Sequence, residues 1–243
     1  MVQWTDRDES MVDWLLVVRL AEMDAIRWAL GALSGSGVPV STRKAQQWVV
    51  RLEGAGLVER ARPTYRDTSI VWATAAAIGR PAPNLFRQTI RHEVAVSAVS
   101  ARYLAHGYTW QRDRKPVARL DHQADGVAIR NGEVELIEVE LTPKTWQRYK
   151  MICENHSHRL AHDGVTRVAY FCTEDATRAV TRAADKYVFR TERPGLVAET
   201  VFDIRGQWVG PALDRPRPEV LPGASVLTEL DGVDGQPAGG VTR

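Results

Sequence analysis

Cysteine is nearly missing from this 243-residue chain, which holds only Cys153 and Cys172. Two thiols cannot build a disulfide framework, so a small bridge-held secreted scaffold is excluded. Both read as small buried residues rather than reactive ones. Long apolar runs are also missing. Runs such as Trp14–Val18 cover little more than one helical turn. That is far short of the ~20 residues that span a bilayer, so no membrane partner is expected. No basic stretch followed by an apolar one opens the chain, which gives the expectation of a cytoplasmic protein. Internal repeats are absent, and no one sign of charge dominates, the net charge being +2. What remains is an ordinary globular composition, 44% hydrophobic and 26% charged. The length suits two small domains, each able to bury a core.

The distribution of charge says more than its total. Between Ser41 and Arg66 six basic residues (Arg43, Lys44, Arg51, Arg60, Arg62, Arg66) stand against Glu53 and Glu59. The end of the chain has the opposite balance, with Asp214, Glu219, Glu229, Asp231 and Asp234 against Arg215, Arg217 and Arg243, in a segment dense in Pro and Gly. Such a segment cannot offset its ordering entropy by burial, and a disordered tail is expected over 211–243.

Apolar spacing predicts helices over Asp8–Leu20, Met23–Leu33 and Thr42–Glu53, the last with Ser41 as its N-cap. Gly54-Ala55-Gly56 ends the third helix, and strands Leu57–Ala61 and Ser69–Ala73 follow around a polar turn. Helix, helix, helix, hairpin is the order of a winged helix-turn-helix, expected over residues 1–80. In that motif the second helix of the pair lies in the major groove of double-stranded DNA. Thr42, Arg43, Lys44, Gln46 and Gln47 would lie there, since Arg bonds guanine and Gln bonds adenine in bidentate geometry. Arg51 continues that face, and Arg60, Arg62, Tyr65 and Arg66 would grip the backbone from the wing. Trp14, Trp28, Trp48 and Trp72 fall at inward positions.

Pro81-Ala82-Pro83-Asn84 marks a boundary. Over 85–210 the pattern reads helix (Leu85–His106), three strands (Thr109–Arg112, Ala124–Arg130, Val134–Leu141), helix (Pro143–Ala161), strand (Thr166–Cys172), helix (Thr177–Ala184), strand (Val197–Ile204). Asn131-Gly132 is a strong hairpin signal between two of these strands. The fold class expected is therefore α+β: a winged helix-turn-helix, then an α/β sandwich with a mixed sheet, then the tail.

In the second domain Glu138 and Glu140 share one face of a strand, opposite Ile137, Val139 and Leu141. With Asp125 they offer oxygen ligands that suit Mg²⁺ or Mn²⁺. The alternative is ion pairing with neighbouring Arg and Lys. Cys153, His156, His158 and His162 suggest zinc, but on one helix these spacings cannot wrap a tetrahedral ion.

The order of acids resembles the PD-(D/E)xK nuclease superfamily: Glu93 on the long helix, Asp125 opening a strand, Glu138 on the next. The resemblance implies a metal held by Glu93, Asp125 and Glu138. Glu140 stands where the superfamily carries its water-activating Lys. The domain would then be degenerate, or Lys144 or Lys150 would supply a displaced amine to an active endonuclease. The chain is also similar to the replication-relaxation family of actinobacterial plasmids, phages and integrative elements. That likeness rests on Arg51–Arg60, His92-Glu93-Val94-Ala95-Val96, Asp125-Gly126, Ile137–Thr142 and Lys150. It implies a DNA-binding protein of a mobile element, acting in replication, maintenance or transcription control. The remaining alternative is a winged helix that serves homodimerisation or assembly.

Overall fold

The first helix is set by its cap. In the computed structural model, which describes residues 4–64, 66–117, 121–213 and 215, α1 (Asp6–Val18) opens on a capping box of Thr5 and Asp8. Asp8 is fully buried. It accepts hydrogen bonds from Thr5, from Trp48 Nε1 at 2.8 Å and from the guanidinium of Arg51. Burial alone would raise its pKa. The hydrogen bonds from Arg51, Thr5 and Trp48, with the charge of Arg51, hold it down from the usual 3.8 to about 2. A depressed folded pKa means stability that is present above pH ~4 and lost as pH falls toward 2, worth about 2 kcal/mol at neutrality. Urea unfolding at pH 7 should therefore show Asp8→Asn weaker than wild type by about this amount, and the gap should close near pH 2. An equal gap at both pH values would mean that Asp8 is not the titrating group.

The chain leaves α1 through Arg19, whose φ of 77° turns it into a two-residue strand, β1 (Ala21–Glu22). α2 (Met23–Ala32) and α3 (Thr42–Gly54) follow, the latter capped by Ser41, whose hydroxyl accepts from the Lys44 N–H. β2 (Val58–Ala61) and β3 (Ile70–Ala73) form a hairpin. β1 pairs on the far side of β3, giving an antiparallel sheet in the order β1-β3-β2. One short helix, α4 (Ala75–Ile78), precedes the Pro-rich link.

Beyond the link come α5 (Ile90–Ala105), β4 (Thr109–Gln111), β5 (Gly126–Arg130), β6 (Glu133–Glu140), α6 (Trp146–His162), β7 (Arg167–Thr173), α7 (Glu174–Tyr187) and β8 (Leu196–Phe202). The five strands lie in sequence order. β4, β5 and β6 are antiparallel, whereas β6, β7 and β8 are parallel, so the sheet is mixed as expected. Asn131 (φ 51°) and Gly132 (φ 83°) make the tight turn between β5 and β6. The alternation of β6 sorts its side chains. Ile137 and Val139 pack with Val96, Val99 and Tyr103 of α5, whereas Leu136 packs with Tyr149 and Ile152 of α6 and Val180 of α7.

The apolar cluster under α5 runs without a break into α1, α2 and α3. Polar links follow the same seam. Trp14 Nε1 donates to Ser100 Oγ at 2.9 Å, and the buried Arg102 pairs with Asp24 at 2.8 Å while lying over the rings of Trp28 and Trp208. The sequence places the start of a disordered tail at 211, and here the structure differs. Leu213 and Arg215 are buried, and Arg215 Nε donates to Glu135 Oε2 at 3.2 Å. Tyr103 and Tyr108 donate to the same carboxylate, so a buried acid holds the chain down. Residue 214 and residues 216–243, with the rest of the expected tail, lie outside the described residues.

Candidate functional site

α3 offers two different faces. Ala45, Trp48, Val49 and Leu52 are buried, the i, i+3, i+4, i+7 stripe read from the sequence. Thr42, Arg43, Lys44, Gln46 and Gln47 are exposed, and their side chains make no hydrogen bond or ion pair with another described residue. Lys44 and Gln47 border a cleft whose other walls include Arg7 and Arg51. Three of the expected DNA contacts are committed elsewhere. Arg51 is bound to Asp8, so its charge anchors α3 to α1. Arg66 is largely buried against Glu22 of β1. Arg60 pairs with Glu53 at 3.2 Å. Arg62 is exposed in the turn after β2, and Tyr65 lies outside the described residues.

The carboxylates of the second unit do not gather as the resemblance implies. Glu93 faces Arg19 at 3.7 Å and Thr89, and so turns toward the end of α1. Asp125 accepts from the Val139 N–H at 2.8 Å and lies 3.1 Å from His92 Nε2. Burial would depress the His92 pKa, but the hydrogen bond and charge of Asp125 outweigh it and raise it. Glu140 is paired with Lys144. Burial lowers the pKa of Lys144 against the opposing charges of Glu138 and Asp125. Lys144 thus sits among the acids, whereas Lys150 is exposed and pairs with Glu154 one turn on.

Glu138 has a different company. His122 Nε2 lies 2.6 Å and His156 Nε2 3.1 Å from its Oε1. Burial would raise the Glu138 pKa, yet His122 and His156 hold it well below the usual carboxylate range. His156 is wholly buried, which pushes its pKa down. Among the described residues this is the one set of three His, Cys, Asp or Glu side chains whose ligand atoms all lie within 4.8 Å of one another.

A clamp fixes the loop that delivers His122. Arg159 of α6 binds Asp113 through two hydrogen bonds, 2.5 and 2.9 Å. Asp113 also accepts from the Ala124 N–H, and Asn155 donates to Asp121. One edge of α6 therefore carries Asn155, His156 and Arg159, which meet Asp121, His122 and Asp113 respectively.

Sequence reasoning missed His122, because a loop histidine has no periodicity to mark it. The available signal was its place three residues before Asp125. His156 was noticed, but in company with Cys153, His158 and His162. Cys153 and Cys172 are buried thiols with pKa values pushed up to about 12 by burial, as inert residues should be. His158 and His162 lie side by side on the exposed side of the helix, ring centroids 4.7 Å apart and tilted by 60°.

An ion held by Glu93, Asp125 and Glu138 does not fit this arrangement. Mg²⁺ asks for an octahedral shell of oxygens. Here Glu138 meets two imidazoles and Glu93 lies apart. Comparison with protein-family models, curated proteins and solved structures finds no match.

Proposed function

We propose that this chain binds double-stranded DNA through a winged helix-turn-helix made of α1, α2, α3 and the β1-β3-β2 sheet, with the start of α3 in the major groove. One observation carries the reading. Five polar residues at the start of α3 are exposed and unengaged, while the helix is held from behind by Trp48 and by Arg51 on Asp8. Side chains free of internal partners can give all their hydrogen bonds to base edges and phosphates. Arg62 adds a backbone contact from the wing, and Arg7 and Lys44 add positive charge beside the helix.

The second unit accompanies binding rather than hydrolysing DNA through Mg²⁺. Its strand order and the positions of Asp125 and Glu138 support a PD-(D/E)xK-like scaffold. Against hydrolysis stand Glu93 turned away and Glu138 enclosed by histidines. The resemblance to the replication-relaxation family suggests a mobile element as the setting.

The test is fluorescence anisotropy with 30-base-pair duplexes enriched from a random pool. Wild-type affinity should fall steeply with salt. The double variant Arg43→Ala/Gln47→Ala should bind the enriched duplex at least roughly 30-fold more weakly, two bidentate contacts at about 1–3 kcal/mol each summing to about 2 kcal/mol or more. Arg66→Ala should change sequence preference little, because Arg66 serves Glu22. Unchanged affinity in the double variant would remove α3 as the reading element.

A further inference from the structure

We infer that His122, Glu138 and His156 form a binding site for one transition-metal ion of the zinc class. The three ligands come from three elements: the loop before β5, β6 itself and α6. Separate elements can surround an ion in a way that one helix cannot. Both Nε2 atoms lie against the same carboxylate oxygen, at 2.6 and 3.1 Å. Ligands bonded to a tetrahedral ion lie roughly 3.3 Å apart, so small shifts would admit one.

A second observation points the same way. The His156 ring is wholly buried; its Nε2 meets the Glu138 carboxylate at 3.1 Å, and its Nδ1 has no hydrogen-bond partner among the described residues. The Tyr170 hydroxyl nearby is buried with no hydrogen-bond partner among the described residues, its ring 5.9 Å from that of His156. Unpartnered polar atoms in a core are costly, and an ion among these groups would give the buried imidazole a strong ligand bond. Two nitrogen donors and one carboxylate favour Zn²⁺, or Mn²⁺ and Fe²⁺, over Mg²⁺. An ion here would tie His122 to the sheet and to α6. This site is independent of the DNA-binding reading, since it lies on none of the α3 residues.

The surface pair His158 and His162 is the rival location, and the experiment separates the two. The full chain is stripped with EDTA, and Zn²⁺ is then titrated against a chromophoric chelator. One equivalent should bind, millimolar Mg²⁺ should not displace it, and Co²⁺ in its place should give the visible bands of a four-coordinate site. His122→Ala and Glu138→Gln should each weaken Zn²⁺ by at least about 100-fold, more than losing an outer partner would. Excess Zn²⁺ should raise the wild-type Tm by on the order of 5 °C and leave that of His122→Ala unmoved. His158→Ala/His162→Ala should bind as wild type. Those residues are exposed, so this variant remains decisive even if the loop variants do not fold. Absence of stoichiometric binding by the folded wild type would overturn the inference. So would binding that is lost in the surface variant.

Discussion

Arg159→Met is expected to destabilise the protein by about 3–5 kcal/mol, the cost of leaving one partner of a buried ion pair behind. Its side chain is 7% exposed and that of Asp113 is 2% exposed. With the guanidinium gone, the carboxylate would keep only the N–H groups of Arg114 and Ala124. Asp113→Asn should cost less, since an amide oxygen can still accept and no net charge is stranded. Removing both charges, as Arg159→Met/Asp113→Asn, should recover much of the loss, because a buried pair is worth far less than either half alone is harmful. Urea unfolding of the four proteins gives the coupling directly. A single Arg159→Met variant within about 1 kcal/mol of wild type would show that the loop is held by something else. The same variant should lose Zn²⁺ affinity, because the clamp sets the position of His122.

The fold was legible wherever a period repeats. The stripe Ala45, Trp48, Val49, Leu52 gave α3, and the alternation along β6 gave its two faces. β1 was invisible, since two residues carry no alternation and its role comes from pairing with β3. The long helix begins at Ile90 rather than Leu85, because apolar residues that pack a link look the same as helix positions. At the site, what failed was distance along the chain. Arg51 and Arg66 read as DNA contacts, yet each meets an acid more than forty residues earlier, Asp8 or Glu22. Glu138 read as a ligand, correctly placed on its face. Its partner His122 could not be found from spacing, since a loop clamped by Arg159 brings it there. Of the two lysines offered, Lys144 and Lys150, it is Lys144 that meets Glu140, only four residues away.

Gly31→Ala should lower stability by at least about 2 kcal/mol, although alanine is the better helix former by about 1 kcal/mol. The reason is local crowding in the last turn of α2. A Cβ at Gly31 would stand 1.9 Å from the carbonyl oxygen of Val38 and 2.9 Å from its carbon. Backbone cannot rotate away as a side-chain tip can. The segment is also pinned at several points: the Ser36 N–H and hydroxyl both donate to the Gly31 carbonyl, the Val40 N–H to Arg27 O, and Arg27 Nε to Val40 O at 2.9 Å. Relief therefore means moving residues 36–40 as a unit, and with them Ser41, the cap that starts α3. The loss should thus reach the surface proposed to bind DNA, and the duplex affinity of Gly31→Ala should fall even below its melting temperature. Gly54→Ala is the control. It too lies in a helix, but a Cβ there would meet nothing within 4 Å. It should stabilise by a few tenths to about 1 kcal/mol, through the unfolded chain. Thermal melts of the two variants should move in opposite directions, and a rise in both would mean that the passage from α2 to α3 yields to a methyl group without cost.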